Sequence, residues 1–211
     1  MRYALVGDSQ GQGLFGPLAT RLAATGHTVV LSRAVPGRDP GGWTRDTTLT
    51  DQLRATAPDV VVYLVAGNNG DTNATSYAAK VGALIGAARS AGASVVYWLS
   101  PATATDPATS ARHEATANME ARIVPALGAT WIDMRPYTRT GHRDGVHFTS
   151  AAYAAWAAAL APALLSPVGG TARALVATAG RTIAGAGVWW AVVGVLALAV
   201  AFTLRPSSEG E

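Results

Sequence analysis

Two short stretches, far apart in a chain of 211 residues, hold the residue types of acyl transfer: Gly7-Asp8-Ser9-Gln10 and Asp144-Gly145-Val146-His147. A serine hydroxyl is a poor nucleophile until a base takes its proton, and a neutral imidazole within hydrogen-bond reach is the usual base. The imidazole must in turn be held in one tautomer by an acceptor at its other nitrogen. Asp144 and His147 are three residues apart across a glycine, so a tight turn can bring the carboxylate to the ring. These residues predict Ser9 as nucleophile, His147 as general base and acid, and Asp144 as its orienting partner.

Acyl transfer also needs donors where negative charge develops on a tetrahedral oxygen. The candidates are the backbone N–H of Ser9, a glycine N–H from a second loop, and an asparagine side chain from a third. Gly37 is the preferred glycine because it follows the second apolar run soonest, with Gly41 and Gly42 as alternatives. Asn68 and Asn69 are the asparagines available.

The elements that must position these groups can be read from apolar patterning. Tyr3 to Val6, Val29 to Leu31, Asp59 to Val65, Ser94 to Leu99 and Thr130 to Asp133 read as strands. The third is apolar without alternation, as expected at the centre of a parallel sheet covered on both faces. Helical patterns fill residues 14–24, 47–57, 75–90, 110–127 and 150–165, the first with Leu14, Leu18 and Leu22 on one face and Gly26 at its end. Residues 32–43, with Pro36, Gly37, Pro40, Gly41 and Gly42, read as a shaped surface loop without regular structure. Strands alternating with helices call for right-handed crossovers and a parallel sheet. The expected fold class is α/β, a flavodoxin-like three-layer sandwich with a five-stranded parallel sheet. In that arrangement Ser9 leaves the first strand where open α/β sheets keep their sites.

In order along the chain, Gly7-Asp8-Ser9, Gly37, Gly67-Asn68-Asn69 and Asp144-x-x-His147 resemble the four sequence blocks of the SGNH hydrolases, also called the GDSL-like lipase or acylhydrolase family. The resemblance covers residues 1 to about 165. It implies a Ser9, His147, Asp144 triad and an oxyanion hole made by the Ser9 N–H, Gly37 and a block-three asparagine. Matching Gly67-x-Asn puts that asparagine at Asn69. Two positions depart from the family pattern: Gln10 replaces the leucine often found after the serine, and Gly70 stands where many members have aspartate.

Composition bounds the rest. Hydrophobic residues make up 49% of the chain and charged ones only 14%, which argues against disorder. The absence of cysteine excludes disulfides and thiolate metal sites. The net charge of +3 comes from scattered arginines with no basic stripe, so nucleic acid is not expected as a partner. His27, His113 and His142 are isolated and read as structural or solvent-facing, and the glycines of residues 7–13 match no dinucleotide or P-loop pattern. Neither a metal nor a cofactor is expected.

The carboxy-terminal part has another character. Residues 185–204 run without a charge and include Trp189 and Trp190; as a helix they would extend about 30 Å, the thickness of the hydrocarbon core. The sequence thus predicts a catalytic domain over 1–165, a linker or membrane-proximal segment over 166–184, a transmembrane helix over 185–204 and a short polar tail over 205–211. Arg173 and Arg181 precede the apolar run and no secretory signal opens the chain, so the expectation is a single-pass C-terminal anchor with the catalytic domain in the cytoplasm. The expected function is a membrane-anchored serine ester hydrolase working through an acyl-enzyme on an O-acyl ester, such as an O-acetyl carbohydrate or a lipid. An O-acyltransferase with the same triad, or a non-catalytic membrane or assembly protein on the same scaffold, is the alternative.

Overall fold

A computed structural model gives the architecture, and it describes residues 1–165. Five strands, β1 (Arg2–Gly7), β2 (Thr28–Ala34), β3 (Val60–Leu64), β4 (Val95–Leu99) and β5 (Thr130–Ile132), form one sheet in the order β2-β1-β3-β4-β5. Every pairing is parallel. The helices are α1 (Ser9–Ala24), α2 (Pro40–Thr44), α3 (Thr47–Thr56), α4 (Ala74–Ser90), α5 (Pro107–Ala126) and α6 (Ser150–Leu165). This is the flavodoxin-like α/β sandwich that the patterning predicts. The linker, apolar run and tail expected over 166–211 lie outside the described residues. Among the described residues no helix is long and apolar enough to cross a membrane.

Successive side chains of a strand point to opposite faces, so each central strand feeds two cores. Tyr3, Leu5, Val60, Val62 and Leu64 pack with Leu14, Leu18 and Leu22 of α1 and with Trp156 and Leu160 of α6. Ala4, Val6, Val61, Tyr63 and Val65 pack on the other side with Leu53 of α3, Val81 and Ile85 of α4, and Val124 of α5. Burial on both faces explains why β3 is apolar at every position.

Three local expectations need correction. Residues 32–43 are more regular than their glycines and prolines suggest: β2 continues to Ala34, and Pro40 to Thr44 form the short helix α2. Asp39 caps that helix by accepting from the Gly42 N–H at 2.7 Å, and Pro40 needs no donor at its position. The buried indole of Trp43 anchors it, with Arg33 and Arg38 stacked on the ring and both paired to Asp46. Helix α1 begins at Ser9 and not at Leu14, because Asp8 caps it; Gly11 and Gly13, poor helix formers, hid that first turn. Gly13 has a reason to be glycine: a Cβ there would stand 2.2 Å from the Tyr153 ring of α6. Helix α5 likewise starts three residues earlier than the pattern implies, at Pro107, with Asp106 accepting from Thr109 N–H at 2.8 Å.

One buried carboxyl lies where α4, β4 and α5 meet. Glu120 of α5 has no exposed surface; its Oε1 accepts from Tyr77 Oη and Trp98 Nε1, both at 2.6 Å. Burial pushes its carboxyl up to about 7. The folded state therefore holds this proton more tightly than the unfolded chain, so its contribution is present below the ordinary glutamate range and is lost as pH rises toward 7. Glu120→Gln keeps an acceptor for Tyr77 and Trp98. In urea denaturation the variant should gain on wild type by about 3 kcal/mol between pH 4.5 and 8; parallel pH–stability curves would contradict this reading.

Candidate active site

The sheet register levels the carboxyl ends of three strands, because Gly7 of β1 pairs with Ala34 of β2 and with Leu64 of β3. The chain turns back between β1 and β3, which is the switch point where ligands of such sheets sit. Asp8 and Ser9, the Pro36-Gly37 turn and the Gly67-Asn68-Asn69 loop all emerge there.

Asp8 is fully buried at the mouth of β1. Its Oδ1 accepts from Gln10 N–H at 2.9 Å as the cap of α1, and its Oδ2 accepts from Gly67 N–H at 3.0 Å across the switch point. Burial still dominates and pushes the carboxyl up to about 6. Gly67 must be glycine because a Cβ would lie 2.8 Å from Asp8 Oδ2. Ser9 is thus the first residue of a helix whose cap is locked, and its own N–H has no partner among the described residues.

At the far edge, the Asp144–His147 segment forms a tight turn. Asp144 Oδ1 accepts from Val146 N–H at 3.2 Å and His147 N–H at 2.8 Å, and Gly145 sits at φ +87°, a conformation that glycine adopts without strain. The same carboxylate reaches the ring: His147 Nδ1 is 3.1 and 3.0 Å from its two oxygens. The His147 backbone and ring bonds, the Val146 N–H and Arg143 hold Asp144 well below the usual carboxylate range. His147 Nε2 then lies 2.9 Å from Ser9 Oγ. The structure therefore brings Ser9, His147 and Asp144 into one hydrogen-bonded line, with residues 138 positions apart meeting directly.

The predicted oxyanion residues fall differently. Pro36 and Gly37 are the central residues of a turn in which Arg38 N–H donates to Val35 O at 3.2 Å, with Gly37 at φ +75°, the conformation a type II turn demands. The Gly37 N–H has no partner among the described residues. Gly41 and Gly42 are inside α2. Asn69 is buried, its amide donates to Asp71 O and to Thr116 Oγ1, both at 3.2 Å, and its Oδ1 accepts from Asp71 N–H. Asn68 is the exposed asparagine, and its Nδ2 lies 3.5 Å from Asp8 Oδ2, beside the serine.

A cavity of about 330 Å³ opens at the serine, lined by Ser9, Gln12, Pro36, Arg143, Phe148 and Tyr153 among others. Phe148 and Tyr153 belong to an aromatic group with Trp156. Among the described residues no cluster of three or more His, Asp or Glu side chains is arranged to hold a metal.

The geometry can be set beside known proteins. The model of the GDSL-like lipase/acylhydrolase family matches residues 4–155. The chain belongs to this family, and it is a carboxylic ester hydrolase. Solved structures agree in fold. TesA superposes with a TM-score of 0.64 at 21% identity, covering 78% of this chain and 98% of its own. The inhibitor-bound aryl esterase of M. smegmatis gives 0.66 at 17% identity, covering 79% and 99%. A carbohydrate acetylesterase family member from Sinorhizobium meliloti gives 0.61 at 16%, covering 78% and 97%. No curated protein matches.

Two residues matter to the acylhydrolase site beyond those its motifs mark. Gln10, buried, accepts at Oε1 from Ala102 N–H at 3.2 Å and donates from Nε2 to Val146 O at 3.4 Å, so it joins the helix of Ser9 to the turn of His147. Its departure from the family leucine was the available signal. His113, buried on α5, has both ring nitrogens on backbone carbonyls; nothing in its sequence neighbourhood marks it. Gln10→Leu leaves Ala102 N–H buried without a partner, and should cost about 1–3 kcal/mol. The expected observation is a lower urea midpoint with unchanged slope; an unshifted midpoint would remove Gln10 from the framework.

Proposed function

We propose that this chain is a serine ester hydrolase working through an acyl-enzyme, with Ser9 as nucleophile, His147 as general base and acid, and Asp144 as the group that orients and charge-balances the imidazole. The observation that carries the reading is the 2.9 Å contact between Ser9 Oγ and His147 Nε2, with both Asp144 oxygens within 3.1 Å of Nδ1. In the first half-reaction Ser9 Oγ bonds to the ester carbonyl carbon, its proton passes to His147 Nε2, and the carbonyl electron pair moves to oxygen. Collapse breaks the bond to the alcohol oxygen, which takes the proton from His147. Water repeats the sequence on the acyl-serine and releases the acid.

In this reading the developing oxyanion is held by the N–H groups of Ser9 and Gly37 and by the Asn68 side chain. Asn69, the residue that matching Gly67-x-Asn selects, has its amide hydrogens committed to Asp71 and Thr116. Asn68 is exposed beside Asp8, which supports it as the donor. Asn69 then occupies the place of the family's aspartate, and it braces the loop as a carboxylate there could.

The substrate we propose is an O-acyl ester with a small acyl group, an O-acetyl carbohydrate or a lipid. A cavity of about 330 Å³ with a Pro36, Phe148 and Tyr153 wall and Gln12 and Arg143 at its polar side suits a short acyl chain and part of a polar alcohol. We also propose, from the uncharged run at 185–204, that the enzyme is held at a membrane by a single C-terminal span with the domain on the cytoplasmic side.

A fluorophosphonate probe should label the full chain, and Ser9→Ala should abolish both labelling and p-nitrophenyl acetate turnover. A folded wild type that neither labels nor turns over would overturn the hydrolase reading. Asn68→Ala should lower kcat by about 100- to 1,000-fold with the fold intact. Asn69→Ala should chiefly lower stability; the reverse pattern would return the oxyanion role to Asn69.

A further inference from the structure

Resting on the ester-hydrolase reading, we infer that His113 is a positioning residue for catalysis: its imidazole Nε2 holds the Gly67 carbonyl and so sets the peptide from which the oxyanion donor Asn68 projects. His113 touches no part of the cavity at Ser9. It is 2% exposed, carried by α5, and its Nε2 lies 2.9 Å from Gly67 O while its Nδ1 lies 2.7 Å from Ala102 O.

The Gly67 residue is gripped from both sides. Its N–H donates to Asp8 Oδ2, and its carbonyl belongs to the same peptide unit as the Asn68 N–H. A planar peptide has no freedom between carbonyl and following nitrogen, so fixing Gly67 O fixes the direction in which the chain enters Asn68. The other ring nitrogen faces the loop after β4, whose Ala102 N–H donates to Gln10 Oε1, and Gln10 N–H returns to Asp8 Oδ1. Asp8, Gly67, His113, Ala102 and Gln10 thus lie in one circuit of hydrogen-bond distances, in which the imidazole is the member that must choose a side. Each carbonyl can only accept, so a nitrogen facing it serves only when it bears a hydrogen. A neutral ring holds one of the two carbonyls, and the imidazolium holds both.

Oxyanion donors act only when they stand at hydrogen-bond distance from the oxygen of the transition state. A shift of a few tenths of an ångström in the Gly67 peptide therefore reads out in kcat and leaves ground-state binding nearly untouched.

Two substitutions separate the two bonds. The side-chain amide nitrogen of His113→Gln falls near the former Nε2 and can keep Gly67 O; that of His113→Asn falls near Nδ1 and can keep Ala102 O. With folding checked by circular dichroism and urea midpoint, p-nitrophenyl acetate kinetics on the full chain should show H113Q within about threefold of wild-type kcat. H113N should fall about tenfold or more with KM little changed. In an Asn68→Ala background the H113N loss should largely disappear, since the donor it positions is gone. Equal kcat in wild type and both variants, or loss in H113Q with H113N unaffected, would overturn the inference. The wild-type protein gives a readout independent of folding in the variants: a slowly exchanging His113 Nε2–H resonance is expected in ¹⁵N-edited NMR, and a ring protonated at Nδ1 alone would overturn it too. Absence of any wild-type turnover would instead count against the hydrolase reading, while the NMR result would still decide the bond to Gly67.

Discussion

Asp8 is a carboxyl group without exposed surface, and the candidate site is arranged around satisfying it. Burying an ionisable group is costly, and hydrogen bonds to its oxygens offset part of that cost. Here one oxygen caps α1 through Gln10 N–H, and the other reaches across the switch point to Gly67 N–H. The first bond starts the helix at Ser9; the second holds the β3–α4 loop against Asp8 and forbids a side chain at Gly67. Burial nevertheless lifts the Asp8 carboxyl to about 6, so these two backbone bonds do not fully offset desolvation. The cost is of the kind found where a site demands a fixed geometry.

Asp144 shows the opposite solution. It is half-exposed, satisfied within its own turn by two backbone N–H groups, and held ionised by those bonds and by His147. Its task in the proposed mechanism is to stay charged while the imidazole gains and loses a proton, and an aspartate that needs no distant partner does this locally. Two carboxylates near one serine therefore differ by environment alone: Asp8 is architectural and Asp144 electrostatic.

Much of this was legible in the sequence, and the parts that were not share a cause. The central strands β1, β3 and β4 are apolar runs whose burial on both faces leaves no alternation to misread, and Asp144-x-x-His147 is a turn whose geometry follows from its own residues. Residues 32–43 look irregular by composition, with three glycines and two prolines, whereas their structure is decided by the burial of Trp43 and the cap at Asp39. Asn68 and Asn69 are adjacent and chemically identical; which one turns inward is settled by Thr116 on α5, 47 positions away. His113 meets Gly67, 46 positions distant, and no local pattern announces such a bond. The same holds for Gly13, whose missing side chain makes room for Tyr153.

The central claim is that Ser9 carries the acyl group between two half-reactions. It is tested most directly by quenching the reaction with p-nitrophenyl acetate in acid during the first turnover, digesting with trypsin and weighing the peptides. The account predicts an acetyl group on the peptide that runs from Tyr3 to Arg21 and holds Ser9, appearing and decaying at rates consistent with turnover. Hydrolysis with no acetyl-peptide at any time, or an adduct confined to another peptide, would contradict it.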